Sequence, residues 1–508
     1  MSDSRTPALL VLLLCAFAVT VDTTIVNVAL PTLSDELDAS TRDLQWIVDA
    51  YTLVFAAFVL AAGALGDRFG RRELLLVGLG VYALGNGAGA LVDSSDALIA
   101  CRAVMGIGAA LIFPATLSTI VHLYEDRGQR AKAIGLWGAT TGIAVALGPI
   151  VGGALLEATG WQSAFWLKVP VALAAAALTL AYVPTSRDPA RPAVDRVGLG
   201  LSTLAILLLV YTVIEAPEQG WLAAQSLIGF VVAATLLVGF VAYERRVKAP
   251  LLDVKLFRSG RLSAASLAIM LAFFALFGFI FLITQYFQYL RGYEPFETGL
   301  RLLPVALSTG TAAVLGTVLA VRVGNKAVVA SGLLCAAAMF IWTSTADSAT
   351  SYLEIAGQMI LLGTGMGLTT APATESIMGA IPGANAGVGS GVNDTTRELG
   401  GTLGVAVIGS VFASLYASGL DGGRSEVPVG AEDSIGAAFG IANQMGGSAG
   451  ESLRALASAG FYDGLQAGCL VAGGACLVGA VAVLALLPSQ PAEVPESEPA
   501  EDGVPLPA

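Results

Sequence analysis

Long apolar stretches separated by short polar ones make up most of the chain. A helix that crosses a bilayer needs about 20 mostly apolar residues. Runs of that kind recur near 8–30, 46–65, 73–92, 97–121, 133–156, 163–183, 197–215, 222–243, 263–290, 299–321, 327–345, 352–374, 398–417 and 464–487. The pattern predicts an all-α polytopic membrane protein with fourteen spans. The first run has Arg5 before it and Ala16-Phe17-Ala18 within it, as a signal peptide would, but it continues to Leu30, which is long enough to span. Two stretches break the rhythm. Residues 418–462, rich in Gly and Ser, read as one long outer loop with a short helix near 451–459. Residues 488–508, rich in Pro and Glu, read as a disordered acidic tail.

Charge orients the spans. With the N-terminus inside and the chain alternating, nineteen Lys and Arg fall on inner segments and five on outer ones, while Arg102 and Lys168 fall within spans. Basic residues collect on the cytoplasmic side of membrane proteins. The bias therefore predicts a multi-pass protein of the cell (inner) membrane with both termini in the cytoplasm.

The spans also repeat. Gly66-Asp67-Arg68-Phe69-Gly70-Arg71-Arg72 and Ala320-Val321-Arg322-Val323-Gly324-Asn325-Lys326 stand 254 residues apart, and the same offset pairs Gly78 with Gly332 and Gly135 with Gly389. Each copy falls on an inner turn between the second and third helix of a six-helix set. Duplication implies two parallel repeats, a known transporter architecture. Residues 1–190 then form an N-terminal six-helix bundle, 191–250 two extra helices, and 251–487 a C-terminal six-helix bundle.

Composition narrows the function. Only 13% of the 508 residues are charged and 56% are hydrophobic, with mean hydropathy +0.77, whereas a soluble domain carries about 25% charged residues. The net charge of −12 lies in loops and tail and offers no basic face to nucleic acid. One histidine and five cysteines without paired spacing argue against a metal site or a disulfide framework. No phosphate-binding Gly-Lys-Ser/Thr loop occurs, so no cofactor, ATP-driven step or enzyme activity is expected.

Several stretches resemble a known family. Asp22-Thr-Thr-Ile-Val-Asn-Val-Ala-Leu-Pro31, Gln45-Trp-Ile-Val-Asp-Ala-Tyr-Thr-Leu53, Gly66–Arg72, Gly148-Pro-Ile-Val-Gly-Gly153, Pro372-Ala-Thr-Glu-Ser-Ile-Met378 and Asn393-Asp-Thr-Thr-Arg-Glu-Leu-Gly-Gly401 resemble the fourteen-helix drug:proton antiporters of the major facilitator superfamily. The nearest likeness is to actinobacterial antibiotic-efflux proteins such as methylenomycin and puromycin exporters. The resemblance implies the major facilitator fold and proton-driven export of an amphipathic small molecule by alternating access. It implies no partner beyond substrate, protons and lipid, and a monomer. A same-fold exporter of an endogenous metabolite or lipid and a non-transporting membrane sensor are the alternatives. Departures from the family pattern include Met105 for a Gln, Trp161-Gln162-Ser163 for Trp-Arg-Trp, Lys168 for an Asn, and Val321 for the Asp of the inner-turn motif.

The candidate chemistry follows. Asp22 lies about two-thirds of the way across the first span, where an ionised carboxylate needs a partner or water; it reads as a proton carrier or a structural ion pair. Arg102, at similar depth on the fourth span, is its expected partner or else a snorkelling arginine. Asp49 reads as a second proton group or an interfacial carboxylate. Asp67, Arg68, Gly70, Arg71 and Arg72 read as positive-inside anchoring, and the resemblance implies a conformational latch. Gly148, Pro149, Gly152 and Gly153 suit close helix packing and, by resemblance, mark the antiporter helix, expected at the interface between halves. Asn27, Tyr286 and Gln288 are candidates for lining a substrate cavity. Glu375, Asp394 and Arg397 read as a solvated inner cluster or an inner gate.

Overall fold

The computed structural model describes residues 5–37, 39, 41–187, 195–421, 428–432 and 434–489, and every regular element among them is helical. The first half contains α1 (Arg5–Glu36), α2 (Thr41–Phe69), α3 (Arg71–Gly89), α4 (Ser95–Leu123) and α5 (Arg127–Thr159). Its sixth crossing is broken into α6 (Gln162–Trp166) and α7 (Lys168–Tyr182). The extra pair is α8 (Arg196–Gln219) and α9 (Ala224–Glu244). The second half has α10 (Gly260–Gln285), α11 (Pro295–Arg301), α12 (Leu303–Val323), α13 (Asn325–Thr343), α14 (Tyr352–Met378), α15 (Ala386–Asp421), α16 (Ile435–Met445) and α17 (Gly447–Leu486). The acidic tail expected over 488–508 lies, from residue 490 on, outside the described residues.

Twelve of these helices are long and apolar enough to cross a membrane by length and composition. Helices α3 and α14 stand where the third and twelfth spans are expected but fall outside that set. The reason is polar content: α3 opens on Arg71-Arg72-Glu73, and α14 buries Gln358, Thr369, Thr374, Glu375 and Ser376.

Each half has a core: one joins α1 to α7 and takes in Met378 and Ala386 of the second half, and the other joins α10 to α17. A third cluster lies along the seam, where Leu53 and Leu60 of α2, Ile206 and Val210 of α8, and Val388 and Val392 of α15 meet. The extra pair thus leans on α2 and α15. The face on which α1 starts carries the basic connections, and we call it the basic face.

The repeat is visible in the backbone. Gly70 (φ 118°) and Gly324 (φ 91°) each precede the third helix of their half, a conformation that disfavours any side chain. Gly78 presses on Gly108 and Ile112 of α4 as Gly332 presses on Gly365 and Thr369 of α14.

Two expectations need correction. The long outer loop at 418–462 is mostly helix: α15 runs on to Asp421, α16 follows, and α17 begins at Gly447 rather than near 464. Leu453, Ala457, Phe461 and Leu465, four residues apart, are buried against the second core while Glu451 and Arg454 stay exposed. That stripe makes an amphipathic helix, and a search for continuous apolar runs passes over it. At the other end, α15 starts at Ala386 rather than 398, so Asp394, Arg397 and Glu398 belong to a helix and not to an inner segment.

Candidate functional site

Three charged side chains meet inside the first half. Asp22 comes from α1, Arg102 from α4, and Lys168 is the first residue of α7. Asp22 is fully buried, and Arg102 and Lys168 are 1% and 4% exposed. Arg102 Nη1 donates to Asp22 Oδ1 at 3.1 Å, and Lys168 Nζ donates to the same oxygen. Arg102 Nε donates to the Ile47 carbonyl at 2.8 Å, and its guanidinium lies 4.4 Å from the Tyr51 ring centre. Tyr51 and Tyr82 pin α2 and α3 to the same stretch of α1, donating to the Val19 and Ala18 carbonyls. Met105, which stands where the family pattern has Gln, puts its sulfur 3.9 Å from Arg102 Nη1. Asp22 Oδ2 has no hydrogen-bond partner.

A buried carboxylate is stable only when paired and hydrogen-bonded. Two cations on one oxygen hold Asp22 in the ionised form in this conformation, with one surplus positive charge in the cluster. The Asp22–Arg102 pairing is the one expected. Lys168 is the residue that sequence reasoning misses: in the sequence it shows only as a replacement for Asn within a span. It stands at the start of α7, beside Phe165, with its ammonium against Asp22 of α1. Asp49 is not part of this cluster. It hydrogen-bonds Gln45 and faces Glu215 and Glu218 of the extra pair, near the Arg42–Glu215 ion pair of 3.3 Å.

On the basic face the Gly66–Arg72 segment reaches across the seam. Asp67 Oδ1 accepts from Arg71 Nη2 at 2.7 Å and from the Gly387 amide at 2.8 Å, while Oδ2 accepts from the Val388 amide at 3.0 Å. Arg71 in turn donates to the Gly383 and Ala384 carbonyls at 3.0 and 3.3 Å. Asp67 therefore caps the N-terminus of α15, where free amides and the helix dipole favour an anion. Its arginine partner belongs to its own half, and the second half answers with backbone. Arg68 stacks on Phe69 and Arg72 reaches the Val183 carbonyl.

The proposed inner cluster separates into two places. Glu375 is buried on the basic face, 3.5 Å from Arg127 of the first half and 4.0 Å from Arg261, and it accepts from Asn325 at 2.7 Å. Asp394 is also buried, accepting from Asn393 at 2.8 Å and Ser390 at 3.3 Å. Neither is solvated, which corrects the reading of an exposed cluster. Arg397 is three turns into α15, among aromatic rings from both halves: Phe113 at 5.3 Å, Trp137 at 5.1 Å and Phe273 at 4.5 Å.

The Gly148–Gly153 stretch of α5 divides its glycines between two neighbours. A side chain at Gly148 or Gly152 would strike Thr24 or Ile25 of α1, in the same half, whereas Gly153 faces Phe296 and Pro149 meets Gly299 across the seam. The helix that carries the stretch does pack on the second half, where Gly135 and Gly142 also meet α12, while Gly148 and Gly152 serve contact within the first half. The substrate-lining candidates fare differently again. Tyr286 is packed among Phe461 and Tyr462, its hydroxyl accepting from Arg291 Nε at 2.7 Å. Gln288 is exposed. The side chain of Asn27 lies outside the described residues. A shallow cleft of about 610 Å³ lies elsewhere, lined by Trp221 and by Val407, Ser410, Val411, Ser414 and Leu415 of α15.

Two repeated helical bundles, the first with a buried ion cluster inside it, have the two-repeat architecture of membrane transporters. Residues 12–405 match the Major Facilitator Superfamily, and the chain belongs to that family. It is 35% identical over 362 residues to the methylenomycin A resistance protein of Streptomyces coelicolor, covering 71% of this chain and 76% of the relative. It is 34% identical to the multidrug resistance protein Stp of Mycobacterium tuberculosis, covering 72% and 68%, and 34% identical to the multidrug efflux pump LfrA of Mycolicibacterium smegmatis, covering 75% and 76%. The fold matches the human organic anion transporter MFSD10 with a TM-score of 0.63 at 15% identity, covering 94% of this chain and 99% of that one.

Proposed function

We propose that the chain is a proton-coupled exporter of amphipathic, antibiotic-like small molecules, with fourteen spans and both termini on the cytoplasmic side. The observation that carries the coupling is Asp22 held by Arg102 and Lys168 while the basic face is closed by the Asp67–Arg71 contacts and by Glu375. Arg does not deprotonate in a protein, so Asp22 and Lys168 are the groups of this cluster able to carry a proton. In the closed state the cations keep Asp22 ionised. When rearrangement of the half loosens the clasp, burial without a counter-charge favours the protonated acid. A proton is thus taken up in one conformation and given up in the other, as antiport requires. The resistance and efflux relatives support export and a drug-like cargo.

The test is transport in proteoliposomes with an imposed pH gradient and a labelled amphipathic cation or anion. Asp22→Asn, nearly isosteric, should abolish uphill accumulation while still binding substrate. Accumulation against the gradient with unchanged pH dependence would overturn the assignment.

A further inference from the structure

A second pair of buried acids lies on the basic face, far along the chain from Asp22. Asp195 immediately precedes α8, and Glu244 is the last residue of α9; they are 9% and 3% exposed. Each uses one oxygen locally. Asp195 Oδ1 accepts from the Gly198 amide at 2.8 Å and caps α8, and Glu244 Oε2 accepts from the Leu252 amide at 3.2 Å. The remaining oxygens, Asp195 Oδ2 and Glu244 Oε1, have no close hydrogen-bond partner among the described residues. Both point to one spot: a methyl group built on Gly198 would collide with both of them. A glycine at position 198 leaves the two orphaned oxygens free to approach one another.

Among the described residues no basic side chain neutralises them. Arg196, Arg245, Arg246 and Lys248 are exposed, and among the described residues none forms an ion pair with either acid. The Tyr243 hydroxyl of α9 is the other titratable group beside them, and it interacts with Asp195 as a hydrogen-bonding partner. On the elements packed against α8, Asp67 of α2 is bound to Arg71, Arg68 stacks on Phe69, and Asp394 of α15 is bonded to Asn393 and Ser390. Two adjacent carboxylates without a counter-ion cannot both ionise. A metal is a poor alternative, because no third His, Cys, Asp or Glu joins the pair among the described residues and oxygen-bound cations take six or more ligands.

We propose that Asp195 and Glu244 share one proton, forming a carboxyl–carboxylate staple that fixes the linker after α9 to the seam between the halves and releases it when the compartment on that side turns alkaline. The linker is placed for such a role. Leu251 and Leu252 are buried among Leu53 and Leu60 of α2 and Val388 and Val392 of α15, and Val388 also donates to the Asp67 latch. Loss of the proton sets two negative charges against each other where the linker amide is held. The staple does not depend on the exporter reading, since it concerns the extra pair and not Asp22.

Infrared spectroscopy of the reconstituted full chain tests it. At neutral pH the wild type should show a protonated-carboxyl C=O band that is missing from Glu244→Gln and, separately, from Asp195→Asn. Asn retains the helix-cap acceptor, so the second variant serves if the first folds poorly. Limited trypsin digestion gives an independent readout at the exposed Lys248 and Lys255. Cleavage there should be several-fold faster in the wild type than in Glu244→Gln at alkaline pH, and equal at mildly acidic pH. If neither variant removes a band, or if cleavage is alike at both pH values, the shared proton is excluded. Slow alkaline cleavage restored by Na⁺ or Ca²⁺ would replace the proton with a cation and equally overturn the proposal.

Discussion

The two halves share a backbone but not a charge plan. Gly70 and Gly324 turn the chain with positive φ at equivalent points, and Gly78 and Gly332 bring equivalent helices into contact. At the same offset of 254, however, Asp22 corresponds to Leu276 and Arg102 to Ala356, while Arg397 corresponds to Ile143 and Asp394 to Thr140. The first half encloses its Asp22 cluster between α1, α4 and α7. The second half places Arg397 on the seam, under rings contributed by α4 and α5 of the first. Close helix contact is a geometric need that both copies of a duplicated bundle inherit. A buried charge is expensive and is kept only where it acts, so the copies could diverge in charge without changing fold.

The largest effect should come from the first half's ion cluster. Arg102→Met removes the cation that also holds the Ile47 carbonyl and stacks on Tyr51. Removing one partner of a buried pair typically costs about 3–5 kcal/mol. Thermal unfolding of the purified variant in detergent, or its failure to accumulate in the membrane, would register that loss. A melting point within a degree or two of wild type would mean that Lys168 alone satisfies Asp22 and that the cluster is not centred on the arginine.

The latch gives the next largest effect and the sharpest contrast between copies. Asp67→Ala strips two α15 amides and Arg71 of their acceptor, and leaving a buried donor unsatisfied costs about 1–3 kcal/mol. The counterpart position holds Val321, 54% exposed, so Val321→Asp should shift stability by less than about 0.5 kcal/mol. Crosslinking across the seam between cysteines introduced at Arg68 and Ala384 reads the consequence for the closed face. Its yield should fall in Asp67→Ala and stay level in Val321→Asp. Equal behaviour of the two would remove the distinction between the halves.

These contrasts show what the sequence makes legible. Most helices declare themselves because a span must be apolar throughout, and the duplication does so because its glycines are steric necessities. The first turns of α17 do not, since one buried stripe of Leu453, Ala457 and Phe461 suffices for a helix lying on protein. Asp22 and Arg102 are readable as a pair because both are charges at one depth in apolar runs. Lys168 escapes that reasoning because in the sequence it is a lone charge in a span, and its partner shows only once α7 is packed beside α1. Arg397 escapes it because α15 extends three turns beyond the apolar run that announces it.

On the seam, Arg397→Lys keeps the charge and loses the flat guanidinium that faces three rings. A cation–π contact of this partly desolvated kind contributes about 1–2 kcal/mol. The expected result is a modest loss of stability, with ion pairing in the first half untouched. Quenching of tryptophan fluorescence measures the local change, because Trp137 forms one wall of the cage. An unchanged Trp137 signal would place the arginine elsewhere in the working protein.

The smallest change in stability should follow Lys168→Met, and it is the most informative about coupling. The cluster has two cations and one anion, so removing Lys168 leaves a balanced Asp22–Arg102 pair at 3.1 Å. Met is close to Lys in length and fills the same slot beside Phe165. Replacing a surplus buried charge with an apolar group of similar volume is often neutral or stabilising, so the melting point should hold or rise. Proton release is another matter. With one cation fewer, the ionised form of Asp22 is less favoured, and the acid should hold its proton to higher pH. The sign is fixed by Coulomb attraction to the carboxylate and does not depend on the exact distance. Uphill export by Lys168→Met in proteoliposomes should therefore reach its maximum at a more alkaline pH than wild type. A shift to acidic pH would show that Lys168 itself carries the proton, and an unshifted profile would show that the ammonium serves packing alone.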